Sequence, residues 1–236
     1  MAFGSAIHWS IERLFIKMKE NGNVFLPKED LLADFNWYMK NNREAFTPEA
    51  FKLKKAYGEK ILPDYYNNYI DKWNKIILAE KNIRNVTVQH VPINGKLDKL
   101  EFNGRQVNVV DYKTGKYENA KKKLVRPNDN EPNGGDYWRQ AVFYKILLDN
   151  DRTHDWQVVS TEFDFIEPVG KEYKTELVEV TDADITTVTQ QIITTWQKIQ
   201  NREFKTGCGK ADCDWCNFVK SNHLSVALHP AEEDEA

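Results

Sequence analysis

Two aspartates and a lysine carry the clearest chemical signal in the sequence. Asp98 lies on one predicted strand, and Asp111 and Lys113 lie at positions i and i+2 of the next, where they share a face. A tight turn at Asn103-Gly104 makes the two strands neighbours. Carboxylate oxygens suit Mg²⁺ or Mn²⁺, and a lysine beside them can orient a water and stabilise developing negative charge. Metal-dependent phosphodiester hydrolysis requires these groups.

The same residues also fit an ordinary surface hairpin that carries one charge pair. Asp111, however, follows Val109 and Val110 at the end of an apolar strand. A charge in that position is costly unless it has a partner or a function. Spacing alone therefore leaves catalysis and plain surface charge as open alternatives.

Helical patterning dominates the first third of the chain, which must position one side of such a site. Apolar residues recur at helical spacing from Phe3, and this helix ends at a turn cluster near Gly22. An α-helical region follows, near residues 24–80. Within it Thr47 is the predicted N-cap of a helix, and Pro63 is expected to begin a separate helix because proline is unfavourable inside one.

The remainder alternates strands and helices, which predicts an α/β fold. Strands are predicted over 86–91, 96–102, 106–113, 158–166 and 172–180, with turns at Asn94-Gly95 and Asn103-Gly104. Helices are predicted over 137–148 and from a cap at Thr181 to about 204. Residues 116–135 are polar and turn-rich, and we expect an exposed loop.

Composition sets the broad class. The 236 residues are 41% hydrophobic, which suits one domain over 1–236 ending in an acidic tail at 229–236. A net charge of −3 excludes a uniformly basic coat protein but allows a local nucleic-acid channel. No apolar run is long enough to span a membrane. Three cysteines and a start without signal-peptide character predict a cytoplasmic protein.

Four motifs occur in the order that one known family shows. They are Phe3-Gly4-x3-His8, Gly95-Lys96-Leu97-Asp98-Lys99, Val109-Val110-Asp111-Tyr112-Lys113-Thr114-Gly115 and Gln140-x3-Tyr144. In these motifs the chain resembles the RecB-like branch of the PD-(D/E)XK nuclease superfamily, especially the nuclease domains at the C-termini of UvrD/Rep-type helicases. The resemblance implies a restriction-endonuclease-like core, a mixed central sheet flanked by helices, with the 24–80 region as a helical insertion.

The resemblance also implies a function and a role for each matching residue. It implies a Mg²⁺- or Mn²⁺-dependent deoxyribonuclease, an exonuclease module of a DNA-repair or recombination helicase, with DNA and a helicase region of the same parent chain as partners. The implied metal ligands are His8, Asp98, Asp111 and the backbone carbonyl of Tyr112. Lys113 is the implied catalytic lysine.

Gln140 and Tyr144 lie at i and i+4 of one helix, and the resemblance implies that they support the site and the DNA. The alternative for both is an ordinary amphipathic helix. Glu80 precedes the strands and is either a supporting residue or a solvated charge at a helix end. A catalytically silent nucleic-acid-binding or protein-interaction domain with the same fold is the alternative to the whole interpretation.

A basic segment follows the proposed catalytic strand directly. Lys116, Lys121, Lys122 and Lys123 could attract a phosphate backbone in a salt-dependent way. Arg126 extends the same run of cations. The alternative is a solvated loop, which is the usual role of a charged run.

A cysteine-containing loop at 208–223 is the last feature of interest. Cys208, Cys213 and Cys216, with His223, could bind Zn²⁺ or part of an iron–sulfur cluster. Relatives with a cluster carry one further cysteine before the first helix and another where this chain has Asn222, so a loop without metal is an equal alternative. The position of the His8 motif so near the first residue leads us to expect a nuclease domain excised from a longer chain.

Overall fold

The computed structural model describes residues 2–203, 207 and 213–221. The chain divides into two compact units, residues 1–189 and 190–236. The predicted site residues up to Tyr144 all lie in the first unit. No helix of the described ranges is both long and apolar enough to cross a membrane.

A five-stranded mixed sheet forms the centre of the first unit. The strands are β1 (Ile77–Val88), β2 (Val91–Asn103), β3 (Gln106–Lys113), β4 (Gln157–Phe165) and β5 (Thr175–Val178). They lie side by side in chain order, β3 and β4 parallel and the other pairs antiparallel. The parallel pair needs a crossover connection, which contains one helix. The prediction of an α/β fold with a mixed central sheet flanked by helices is confirmed.

The described part of the chain contains six α-helices. They are α1 (Ala2–Glu20), α2 (Lys28–Asn41), α3 (Pro48–Tyr69), α4 (Asp136–Asp149), α5 (Asp182–Gln200) and α6 (Asp214–Ser221). The first three share a hydrophobic cluster with Val110 and Tyr112 of β3. Helix α4 packs on β4, where Ala141 meets Phe163 and Phe165 in a separate cluster. Successive β3 residues thus face helices on opposite sides of the sheet.

Local capping signals correctly located two helix starts. The Thr47 hydroxyl accepts a hydrogen bond from the amide of Ala50 at 3.2 Å, with Pro48 at the first helical position. Thr181 and Asp184 form a reciprocal cap at the start of α5. The Asp184 amide donates to the Thr181 hydroxyl at 3.2 Å, and the Thr181 amide donates to the Asp184 carboxylate at 2.9 Å.

Packing overrides two other predictions. Pro63 lies inside α3 and does not begin a new helix, because burial of Ile61, Leu62 and Tyr65 holds the helix together across it. The helical region also ends earlier than predicted, since β1 begins at Ile77.

The turns of the β1–β2–β3 region differ from prediction in position. The β1–β2 turn is formed by Gln89 and His90, both with positive φ, and not by Asn94-Gly95, which lies within β2. Gly95 is needed there for close packing, since a Cβ would meet Leu147 Cδ2 of α4 at 2.6 Å. The predicted β2–β3 hairpin is present, with Gly104 at the first position of its two-residue loop and φ of 61°.

The predicted exposed loop between β3 and α4 is partly structured. It contains two short 3-10 turns, at Tyr117–Asn119 and Lys121–Lys123, with buried Ala120 between them.

Candidate active site

Three carboxylates align across three neighbouring strands. Glu80 lies between the pairs Ala79↔Lys99 and Lys81↔Leu97 of β1 and β2, which places it opposite Asp98. Asp98 in turn lies one residue beyond the last β2–β3 pair, Lys99↔Val110, and so opposite Asp111. The hairpin register therefore brings together side chains that are 13 and 18 positions apart in the sequence.

Asp98 joins the first helix to the sheet. Its Oδ2 accepts a hydrogen bond from the amide of Tyr112 at 3.0 Å and lies 3.1 Å from Nδ1 of His8. Burial alone would lower the pKa of His8, but the hydrogen bond and negative charge of Asp98 outweigh burial and raise it. An imidazole held against carboxylates in this way can donate a proton or, when neutral, ligate a metal.

Asp111 is the buried centre of a four-residue network. Its Oδ1 accepts hydrogen bonds from the Tyr144 hydroxyl at 2.7 Å and from Gln140 Nε2 at 3.0 Å, and its Oδ2 lies 2.6 Å from Lys113 Nζ. The Gln140 amide oxygen accepts from Lys113 Nζ at 2.8 Å. Burial and the charge of Asp98 raise the pKa of Asp111, while Lys113 and Tyr144 oppose the rise. The predicted i, i+4 pair on α4 thus contacts both the carboxylate and the lysine.

Lys113 is further enclosed by aromatic rings. Its Nζ lies 4.4 Å from the ring centre of Tyr137 and 5.0 Å from that of Phe163. Lys123 reaches the same Tyr137 ring at 4.9 Å. The structure therefore brings Lys123 of the predicted basic segment to the same ring as Lys113.

Glu80 is the site residue that sequence reasoning undervalued. It lies on β1 and not at a helix end, with a side chain only 10% exposed, and Lys96 Nζ contacts its Oε2. Its φ of 49° is unusual for a residue other than glycine, and such strain clusters at functional sites. The positive φ was not readable from sequence, because the predicted strands began only at Val86.

The donor atoms at this point fit a hard divalent cation. One ligand atom each from His8, Glu80 and Asp98 lies within 4.8 Å of the other two. Two carboxylates and an imidazole form a mixed oxygen and nitrogen set that Mn²⁺ and Mg²⁺ accept. Asp111 adjoins this group through Asp98, and its charge acts on His8. The geometry does not test the predicted role of the Tyr112 carbonyl, which stays a prediction.

The cations of the predicted basic segment differ in their surroundings. Lys116, Lys121, Lys122 and Lys123 are exposed after β3, and their contact with nucleic acid stays a prediction. Arg126 instead forms two hydrogen bonds to the buried carboxylate of Asp184, at 2.8 and 2.9 Å. This pairing holds the pKa of Asp184 well below its usual range. Arg126 therefore anchors the loop to α5.

The cysteine loop is described only in part. Cys213 and Cys216 are half-buried at the start of α6, whereas Cys208 and His223 lie outside the described residues. A Zn²⁺ or iron–sulfur site there stays a prediction.

Aligned carboxylates, a lysine hydrogen-bonded near one of them and a mixed sheet are the arrangement that a metal-dependent nuclease would need. The chain belongs to the PD-(D/E)XK nuclease superfamily, whose sequence profile matches residues 1–221. Nucleases of this superfamily use divalent metal ions, in keeping with the donor set above.

Comparison with solved structures returned distant similarities. A "Putative exonuclease" from Eubacterium rectale is similar at 12% identity and a TM-score of 0.43, over 89% of this chain and 74% of that one. The protein SSO0001 is similar at 11% identity and a TM-score of 0.34, over 83% and 75%. A search of curated proteins gave no significant match.

Proposed function

We propose that this chain is a Mg²⁺- or Mn²⁺-dependent deoxyribonuclease of the RecB-like branch, cleaving DNA from its ends as the nuclease module of a repair or recombination helicase in the cytoplasm. The observation that carries the proposal is the row of Glu80, Asp98 and Asp111 across three strands, with Lys113 bonded to the last. Superfamily membership supports the nuclease class. The motif order given above supports the branch and the helicase context.

His8, Glu80, Asp98 and Asp111 would hold the metal. When bound, the ion would neutralise charge on the scissile phosphodiester and lower the pKa of a water. The protein's own contribution is to hold these groups in place before substrate arrives. The Tyr112 amide fixes one oxygen of Asp98, and Tyr144 and Gln140 fix one oxygen of Asp111.

Lys113 is the proposed partner of the attacking water. Its ammonium is held by the Asp111 carboxylate, by the Gln140 amide oxygen and over two aromatic rings. These contacts keep a positive charge beside the carboxylates, where it can hydrogen-bond a water and stabilise the negative charge that develops on phosphate oxygens. Because Gln140 bridges Lys113 and Asp111, it positions both groups.

The proposal is tested with end-labelled single- and double-stranded DNA and matched RNA, in Mn²⁺ and then in Mg²⁺. We expect metal-dependent release of nucleotides from DNA ends and little cleavage of closed circles or RNA. Lys113→Ala should lower the rate roughly 100-fold or more, because it removes a group that acts in the transition state. Lys55→Ala, which removes a half-exposed lysine paired with Glu59 on α3, is the matched control and should cleave normally.

Several outcomes would contradict the proposal. Undiminished cleavage by Lys113→Ala would remove the assigned lysine. Binding of DNA without cleavage by the wild-type protein would favour a catalytically silent domain. Cleavage of RNA in preference to DNA would replace the substrate class.

A further inference from the structure

Two tryptophans stack on each other at the surface of the first unit. Trp9 of α1 and Trp37 of α2 have ring centres 4.9 Å apart and planes inclined by only 18°. Tyr38 lies beside them, 5.5 Å from Trp9. Trp37 is 57% exposed, so the stack presents a large aromatic surface to solvent.

Trp37 is not part of the buried face of α2. The buried contacts of α2 are made by Leu31, Phe35 and Met39, which are 1% exposed or less. Two stacked indoles form a contiguous apolar surface, and contiguous exposed apolar surface marks a binding site more often than a single exposed side chain does. The stack on Trp9 fixes the orientation of the ring without burying it, which prepares a flat surface for a ligand.

The stack adjoins the candidate active site. Trp9 follows His8 directly, and consecutive residues of a helix point about 100° apart. His8 Nδ1 faces Asp98, whereas Trp9 faces α2. A chain of nucleotides leaving the metal-binding carboxylates past His8 would therefore meet the stack within a short distance.

The charges around the stack suit phosphate. Arg13 lies four residues after Trp9 and Lys40 three residues after Trp37, on the same helical faces. Neither cation is in an ion pair with any residue that the structure describes.

The acids near the stack leave little opposing charge. Asp34 is neutralised by Lys17 at 2.7 Å. Burial raises the pKa of Glu12, the acid three residues after Trp9, and the nearby positive charges of Lys96 and Arg13 oppose that rise. The local field therefore favours an anionic ligand, and the flat aromatic surface favours one that carries planar bases.

We propose that the stack of Trp9 and Trp37 binds an unpaired base of the substrate strand, with Arg13 and Lys40 beside its phosphates. The inference rests on the proposed nuclease function and deepens it, since it makes single-stranded nucleic acid the ligand that the site accepts. Every base has a flat π-face, so such a platform binds without sequence preference. Bases inside a duplex are already stacked and do not offer that face.

The test compares binding of a fluorescein-labelled dT20 oligonucleotide with that of a blunt 20-base-pair duplex, by anisotropy in EDTA. Trp37→Leu should weaken dT20 binding about 5- to 100-fold, the range expected for loss of one base–aromatic stack, and change duplex binding far less. Trp37→Tyr, which keeps an aromatic face, should bind within a few-fold of wild type. Quenching of tryptophan fluorescence by dT20 should shrink in Trp37→Leu.

Trp215→Leu is the matched control, because Trp215 is 80% exposed on α6 and lies outside the first unit. It should bind dT20 as wild type does. Circular dichroism melts establish that each variant is folded. Unchanged dT20 binding by folded Trp37→Leu would overturn the inference, as would equal losses for dT20 and duplex.

The outcomes separate this inference from the proposed function. A wild-type protein that cleaves DNA while Trp37→Leu binds dT20 normally refutes only the platform. Trp37-dependent binding by a protein that never cleaves supports the platform and refutes the nuclease activity. Absence of both binding and cleavage refutes both.

Discussion

Glu80 shows how one strained residue can complete a site. Its carboxylate belongs to the same ligand cluster as His8 and Asp98, and its φ of 49° occurs between two residues of β1 that pair with β2. Glu80→Gln keeps the shape and removes the charge. We expect Mn²⁺ affinity to fall about 10-fold or more, by analogy with the effect of changing groups around a metal.

Isothermal titration with Mn²⁺ measures this effect. Glu59→Gln, which changes a half-exposed carboxylate on α3 paired with Lys55, is the control and should bind Mn²⁺ as wild type does. Equal affinity in Glu80→Gln and wild type would exclude Glu80 from the metal site.

The site residues that sequence predicted and those it missed differ in one respect. Asp98, Asp111 and Lys113 lie on either side of a tight hairpin, so local turn chemistry was enough to bring them together. Gln140 was placed near them only through a motif, because a helix–sheet contact across the crossover has no local signal. Glu80 lies on a part of β1 whose strand character comes from pairing with β2 and not from its own pattern.

Asp164 provides a residue-scale test of pH dependence. Burial raises its pKa to about 6, although Tyr65, whose hydroxyl donates to its Oδ2, and the charge of Lys99 oppose the rise. The folded protein therefore holds this proton more tightly than the unfolded chain. Protonation of Asp164 therefore favours the folded state. This contribution to stability is fully present below pH 4 and is lost as the pH rises through about 6.

Tyr65→Phe should increase the loss of stability that the folded protein undergoes as the pH rises. Removing the hydroxyl leaves the buried carboxylate short of a donor, so we expect destabilisation of about 1–3 kcal/mol at pH 7.5 and clearly less at pH 5, where the carboxyl is protonated. Urea unfolding at both pH values measures the difference. Tyr57→Phe, which removes a donor to half-exposed Glu167, should show little pH dependence. Equal destabilisation by Tyr65→Phe at both pH values would contradict the assignment.

At the scale of elements, α2 and α3 can pack closely because Gly58 of α3 has no side chain. A Cβ on Gly58 would lie 2.1 Å from the ring of Phe35, which is fully buried and cannot move aside. Alanine normally stabilises a helix relative to glycine by up to about 1 kcal/mol. Here we expect Gly58→Ala to destabilise the protein by about 1–3 kcal/mol, because the core is overpacked.

The double variant Gly58→Ala with Phe35→Leu distinguishes overpacking from other causes. The smaller leucine side chain leaves room for the alanine methyl group. The double variant should therefore lose less stability than the two single variants lose together. Gly115→Ala, where a Cβ would meet nothing within 4 Å, should change stability by less than about 0.5 kcal/mol. Additive losses in the double variant would show that the two helices do not depend on this contact.

Two local sequence signals, one for a turn and one for a helix start, were wrong because of packing between elements. Turn-type residues at Asn94-Gly95 lie within β2 because Leu147 packs against the glycine, and Pro63 lies within α3 because the residues around it are buried. In both cases long-range packing outweighs a local preference of a few kcal/mol at most. The helix starts at Thr47 and Thr181, whose caps are local hydrogen bonds, were predictable for the converse reason.

At the scale of the whole molecule, a net charge of −3 means that attraction of DNA must come from a local cluster of cations. The exposed lysines after β3 are that cluster in our proposal. Each lysine that contacts a phosphate of single-stranded DNA adds about 0.7 to the slope of log K against log salt concentration. Replacing Lys121, Lys122 and Lys123 by glutamine should therefore weaken binding and reduce the slope by about 2.

A matched variant separates local contact from the overall field. Replacing Lys52, Lys54 and Lys55 of α3 by glutamine lowers the net charge by the same three units at a different place. If the field of the whole protein governed binding, both triple variants would lose affinity alike; if the cluster after β3 contacts phosphate, only its loss reduces the slope. Anisotropy titrations of dT20 distinguish these two explanations. They are made between about 50 and about 200 mM salt, the range over which phosphate contacts change affinity most clearly. Because the cluster begins three residues after Lys113, a reduced slope would also orient the bound strand across the carboxylates and along this loop.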